Sequence, residues 1–323
     1  MECIRDFTAV NEDVRQALAS TLPWSPLDYI RGISSEGDKK LLLDTLCRVI
    51  DEADDLRFIL EDPKEGPLAV MAEKLPWDSA FFGYGIARLH GIYPLAQPGY
   101  RPFAELAAAV SAVQQKAREH GIRYMFAQVD PRDLSLMRAL GEAGFCLIEP
   151  RLYYHRAICD FEYIKRYPTR EARPEDLPSI TGVVRDTVNI YDRFHADPFI
   201  SREDADRLME QWIRVSLSKE FSDIVMVPDL PGAPTAVATG RYLKKDWQTW
   251  ERPISQLVLG ASSGALQGWA VKMLSELIYH FAEAGAEHLF FSTQATNIRI
   301  IKVCEHLGFH LGKTEFVFRK VLN

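Results

Sequence analysis

Three short stretches bring together residue types that can do chemistry. In Tyr191-Asp-Arg-Phe-His-Ala-Asp-Pro, His195 and Asp197 can accept a proton, and His195 has the right resting pKa to do so near neutrality. Arg193 in the same stretch can hold a phosphate through two parallel N–H bonds. A solvated loop with a proline turn is the competing reading. The second stretch, Gln267-Gly-Trp-Ala-Val-Lys272, lies where strand-like sequence gives way to helix-like sequence. The free amides of a helix start bind phosphate groups well. Alternatively, Gln267 to Leu274 is only the opening of a core helix. The third places Asn297, Lys302 and Cys304 in one helical run. Asn297 serves equally as an N-cap, Lys302 faces phosphate or water, and a helical thiol is commonly a small apolar group. Trp247 and Trp250, beside Lys244 and Lys245, either stack on a sugar or base or form an exposed hairpin edge.

The elements that hold these residues occur twice. Gly121-Ile-Arg-Tyr-Met-Phe and its continuation through Asp133, Arg138 and Leu140 to Gly144-Phe145 match Gly285-Ala-Glu-His-Leu-Phe through Asn297, Lys302 and Cys304 to Gly308-Phe309. The offset is constant at about 164 residues, which signals two copies of a domain rather than a solenoid. Helices are expected near the N-terminus, where Leu46, Val49 and Ile50 share a face, and at 103–120, 133–142, from Ser201, 267–283 and 297–306. Strands are expected at 57–60, 67–72, 85–90, 124–129, 145–154, 223–228, 235–243, 254–260, 288–292 and 309–321. This order predicts an α+β chain of two units, each with a mixed sheet, divided near 160: residues 1–160 and 161–323.

Composition bounds the partners. With 323 residues, 47% hydrophobic and 26% charged, the chain can bury two cores. A net charge of −7 argues against a general nucleic-acid surface while permitting a local anionic pocket. The five cysteines lie far apart with no C-x-x-C pair, so neither a zinc site nor a disulfide framework is expected. No metal is expected. With no apolar leader at Met1 and no run of about 18 apolar residues, the expected location is the cytoplasm.

Strand, glycine-containing turn, long helix, strand, then Asn297-Ile-Arg-Ile-Ile-Lys-Val-Cys-Glu-His-Leu-Gly-Phe309 resembles the GCN5-related N-acetyltransferases. Leu257-Val-Leu-Gly-Ala and Gln267-Gly-Trp-Ala-Val-Lys carry the rest of the likeness, although the family pattern in that turn is Gln/Arg-x-x-Gly-x-Gly/Ala and this chain has Ala270 and Lys272 in the two small positions. A narrower likeness, from about residue 65, rests on Leu75-Pro-Trp-Asp-Ser-Ala-Phe-Phe-Gly83, the Leu140–Phe145 helix end and Arg193-Phe194 ahead of Trp212-Ile213. Together these are similar to the TDP-fucosamine N-acetyltransferases, which acetylate a 4-amino group on a nucleotide-linked deoxysugar.

The resemblance implies a tandem GNAT fold with a degenerate first copy, and acetyl-CoA bound by the second between its fourth and fifth strands. It assigns Leu257, Val258, Leu259, Gln267, Gly268, Trp269, Ala270, Val271, Lys272, Asn297 and Lys302 to the cofactor. It places Arg193, Asp197 and Trp247 toward the acceptor, an amine on a nucleotide sugar, with a homodimer as the candidate assembly. Cys304 falls where the family usually has a tyrosine that protonates the leaving thiolate, and His195 becomes the candidate base. An amino acid, peptide or other small amine is the alternative acceptor; a non-catalytic CoA-binding or scaffolding protein is the alternative class. The first copy has Leu140 at the Cys304 position and three prolines ahead of its helix. Proline lacks an N–H, so that connection is poorly built to cradle phosphate.

Overall fold

The computed structural model describes residues 4–6, 12–48, 56–61, 66–96, 102–163, 165–263 and 268–323. Val49 and Ile50 lie outside them. In chain order the first half gives β1 (Ile4–Asp6), α1 (Glu12–Thr21), α2 (Ser35–Leu46), β2 (Phe58–Leu60), β3 (Leu68–Lys74), α3 (Pro76–Phe82), β4 (Gly85–Pro94), α4 (Phe103–Glu119), β5 (Ile122–Val129), α5 (Leu134–Glu142) and β6 (Cys146–Ala157). The second gives β7 (Thr169–Glu171), α6 (Leu177–Asp186), α7 (Arg202–Leu217), β8 (Ile224–Pro228), β9 (Ala236–Arg241), α8 (Trp247–Trp250), β10 (Ile254–Ser262), α9 (Trp269–Glu283), β11 (His288–Gln294), α10 (Ile298–His306) and β12 (His310–Val321).

Local chemistry explains why the two halves repeat. Asp133 caps α5 by accepting from Leu136 N at 3.1 Å, and Asn297 caps α10 by accepting from Ile300 N at 3.4 Å. Each helix ends at a glycine in the left-handed region, Gly144 at φ 78° and Gly308 at φ 73°, where a side chain would strain the backbone. Ser201 caps α7 in the same way, accepting from Asp204 N at 3.0 Å.

The chain folds as two compact units whose membership does not follow the sequence midpoint. The first comprises 1–28, 33–150 and 314–323; the second comprises 29–32 and 151–313. In the first unit the strands run β1-β2-β3-β4-β5-β12, with Phe316–Val321 antiparallel to Tyr124–Val129. In the second they run β6-β11-β10-β9-β8-β7, with Arg151–Ala157 antiparallel to His288–Gln294. Each sheet is therefore completed by the last strand of the other half of the sequence. The first core packs Leu18, Leu46, Phe58, Leu68, Met71, Leu89, Met125 and Leu140. The second packs Leu277, Ile278, Phe281, Leu289, Phe291 and Cys304. No described helix is long and apolar enough to cross a membrane.

Candidate functional site

In the second unit the sheet opens beside one strand. β10 and β11 run parallel and pair only over Ile254–Gln256 and His288–Phe290. Beyond that point β11 stays with β6 to Gln294, and β10 stays with β9 to Ser262. The two strands thus part company, leaving a wedge toward their C-terminal ends. A β-bulge marks the same place: Leu257 pairs with Gly240 and Leu259 with Thr239, so Val258 falls outside the ladder. The Thr239 hydroxyl holds the bulge open by accepting from Leu259 N at 3.1 Å. Bulges re-aim backbone groups in this way beside active sites. Thr239 was not singled out from sequence, because the bulge it serves is set by register across strands.

The start of α9 follows this wedge along the chain. Gln267 lies outside the described residues. Gly268 caps the helix at φ 82°, and Lys272 N donates to its carbonyl at 3.2 Å. The amides of Trp269, Ala270 and Val271 belong to the first turn, which has no intrahelical acceptors for them. The Trp269 ring is buried in the core, so any cofactor contact falls to its backbone. The Lys272 ammonium sits 5.1 Å from the Tyr167 ring and 5.0 Å from the Trp269 ring, anchored by cation–π contact. An opened strand pair, a bulged edge and a helix start are what a thioester with a pyrophosphate tail requires, so these residues fit acetyl-CoA.

Asn297 is committed to structure: besides its cap, its Nδ2 donates to Thr293 Oγ1 at 3.2 Å. Lys302 is exposed on α10. Cys304 is 0% exposed, and burial pushes its thiol up to about 12. The expectation of a proton donor here is corrected, because a thiol sealed in the core touches no substrate. Leu140 at the matching position is also 0% exposed, so this is a core position in both copies.

The structure also corrects His195. Its Nδ1 lies 2.6 Å from Asp192 Oδ2 and its Nε2 lies 3.1 Å from Asp206 Oδ1, with the side chain only 3% exposed. Burial disfavours the charged ring, but the two carboxylates prevail and raise its pKa. With both nitrogens engaged, neither is left to take a proton from an amine. Asp192 also accepts from Phe194 N and His195 N, turning the loop back on itself. Spacing of Asp192 and His195 hints at one half of this clamp; Asp206, on the next helix, does not show in local sequence.

Asp197 is likewise buried, accepting from Phe199 N at 3.0 Å, which removes it from an open acceptor surface. Arg193 stacks over the Phe194 ring at 4.3 Å. Trp247 donates through Nε1 to the carbonyls of Tyr242 and Ile254 at 2.9 and 2.8 Å. The indole N–H is thereby tied into the β9–β10 connection. In the first unit, Trp77 and Phe81 stack at 5.7 Å on α3, beside a cavity of about 440 Å³ lined by Lys74, Ser79, Tyr84 and Gly121.

The corresponding bulge in the first unit is covered. β4 pairs with β5 from Gly85 to Leu89, and His90 then drops out of the β3 ladder. The Tyr93 ring lies over the next residue, so a Cβ on Gly91 would come within 2.6 Å of it. His90 is tied to Glu73 at 2.8 Å, and Glu73 accepts from Arg57 at 3.2 Å. The side chains of this copy fill the place that the second leaves open.

No protein-family model matches the sequence, and no curated protein matches it. Solved structures do. A GCN5-related N-acetyltransferase from Sphaerobacter thermophilus superposes with a TM-score of 0.61 at 12% identity, covering 95% of this chain and 92% of that one. A tandem GNAT protein of the clavulanic acid biosynthesis pathway gives 0.53 at 12% identity, covering 98% and 97%. A GCN5-related glucosamine N-acetyltransferase region of a fungal multi-domain GH3 β-N-acetylglucosaminidase gives 0.62 at 10% identity, covering 98% of this chain and 38% of that protein. At these identities the likeness is one of fold, and the chain has the tandem fold of the GCN5-related N-acetyltransferases.

Proposed function

We infer that the protein is an acetyl-CoA-dependent N-acetyltransferase, with the cofactor bound by its second unit. The observation that carries this reading is the coincidence of three features: the parting of β10 from β11, the bulge at Val258, and the Gly268-capped start of α9. Acetyl-CoA supplies an activated acetyl group. The α9 amides from Trp269 to Val271 receive its pyrophosphate, and the β10 edge at Leu257, Val258 and Leu259 aligns its pantetheine and thioester. The Val258 amide, outside the β9 ladder, is the donor placed for the oxygen that gains charge when the carbonyl is attacked.

The acceptor amine attacks directly. The C–N bond forms, the C–S bond breaks, and the proton released by the nitrogen passes to the departing thiolate, directly or through water. This route requires neither Cys304 nor His195. For the acceptor we propose the amine of a nucleotide-linked amino-deoxysugar. Support comes from the Leu75–Gly83 and Arg193-Phe194 motifs, and from the occurrence of a glucosamine N-acetyltransferase region on the same fold. The domain roles follow: a catalytic second copy, and a first copy whose covered bulge supports a structural task.

Thiol release from acetyl-CoA, measured across a panel of amino sugars, nucleotide amino sugars, amino acids and peptides, tests both parts. Turnover with nucleotide amino sugars alone supports the full reading. Turnover only with non-sugar amines contradicts the acceptor, and no turnover with any amine contradicts the activity.

A further inference from the structure

At the N-terminal ends of β10 and β11, opposite the end where these strands part, a polar cluster is packed into the second unit. His155 on β6 pairs with Phe290 on β11, and Ala157 pairs with His288. Side chains alternate along a strand, so His155 and His288 share one face, a diagonal step apart. Arg252 lies two residues ahead of β10, and the carbonyl of the intervening Pro253 accepts from His288 N at 3.1 Å. Arg252 is thereby held beside the start of β11. Its Nη1 donates to Glu287 Oε2 at 2.7 Å, and its Nη2 fills the space over Gly32, where a Cβ would approach to 2.1 Å. The Tyr29 ring lies 5.1 Å from His155, and the His310 ring 6.3 Å from it.

Three polar atoms here are buried with no hydrogen-bond partner among the described residues: His155 Nδ1, His288 Nδ1 and Arg252 Nε. Native interiors pair nearly all such atoms, so three in one cluster point to a missing occupant. His288 is only 9% exposed. Guanidinium nitrogen can only donate, and each imidazole Nδ1 can donate in the right tautomer. The Arg252 charge disfavours a cation. A group with several acceptor oxygens satisfies all three donors at once.

We propose that His155, His288 and Arg252 form a binding site for a small oxyanion of the phosphate class. The site is separate from the candidate cofactor wedge and independent of the proposed reaction. Its affinity is linked to protons. Burial and the neighbouring His288 and His310 hold His155 down at about 4, while burial and Arg252 lower His288 and Glu287 opposes them. An anion reverses that balance and favours the protonated rings. Tyr29 and His310 also face His155.

The test is calorimetry of the full chain with inorganic phosphate, at constant ionic strength, with acetate as the comparison ion. We expect saturable phosphate binding about tenfold or more tighter near pH 6 than near pH 8, as uptake of at least one proton requires. His155→Gln and His288→Gln should each abolish it, while Lys245→Ala on the exposed surface should not. Imidazole nitrogen shifts of the unmutated protein should move with phosphate, which gives a readout independent of any variant's folding. Absence of saturable binding, equal binding of acetate, or imidazole signals that ignore phosphate would each overturn the proposal.

Discussion

At Gly268 the backbone sits at φ 82°, and a Cβ there would meet no atom within 4 Å, so the cost of a substitution is conformational rather than steric. Placing an L-residue in the left-handed region costs about 1–2 kcal/mol. Gly268→Val is expected to pull the first turn of α9 out of place, weakening acetyl-CoA about tenfold in a titration. Cys304→Ala is expected to leave the pH profile of turnover unchanged while costing about 1 kcal/mol of stability in a urea titration, since it removes only a buried sulfur. His195 and His155 predict opposite pH responses. The His195 pKa is raised in the fold, so its contribution is full below the unfolded value of about 6.5 and is lost as pH rises through the folded value. His155 is lowered to about 4, so the unfolded chain takes up its proton first, and stability falls as pH drops from about 6.5 toward 4. Urea midpoints for His195→Gln should lose the alkaline decline, and those for His155→Gln should lose much of the acidic one.

At the scale of elements, the repeat was legible because its marks are local. Asp133 and Asn297 cap their own helices, and Gly144 and Gly308 end them, so both copies announce α5 and α10 without reference to anything distant. The wedge was legible only in part. The strand at Leu257–Leu259 and the helix after Gly268 show in local sequence, but the bulge depends on Thr239 across the ladder. His195 is hidden from local sequence for a similar reason: its second carboxylate comes from α7, and no local pattern shows that both ring nitrogens are spent. The Val258 bulge invites a direct prediction. Thr239→Val removes the hydroxyl that accepts from Leu259 N, and should lower kcat several-fold while acetyl-CoA binding changes less, if the bulge amide acts as proposed on charge that develops during attack.

At the scale of the whole molecule, the last strands decide what can be cut. Phe316–Val321 pairs with β5 and Leu322 lies in the first core, so residues 314–323 are structural members of the first unit although they end the second repeat. Strand exchange of this kind was not legible, because each copy predicts a closing strand but not whose sheet it closes. Truncation after Lys313 should therefore loosen the first unit, read as faster amide exchange in β4 and β5. Because one bulge is open and the other is covered by Tyr93, we propose the same asymmetry for ligand binding. Calorimetry with acetyl-CoA on the full chain, repeated with Gly268→Val, tests this most directly. The account predicts one site per chain, weakened about tenfold by the substitution; no binding at high ligand, two equivalent sites, or an unchanged affinity in the variant would contradict it.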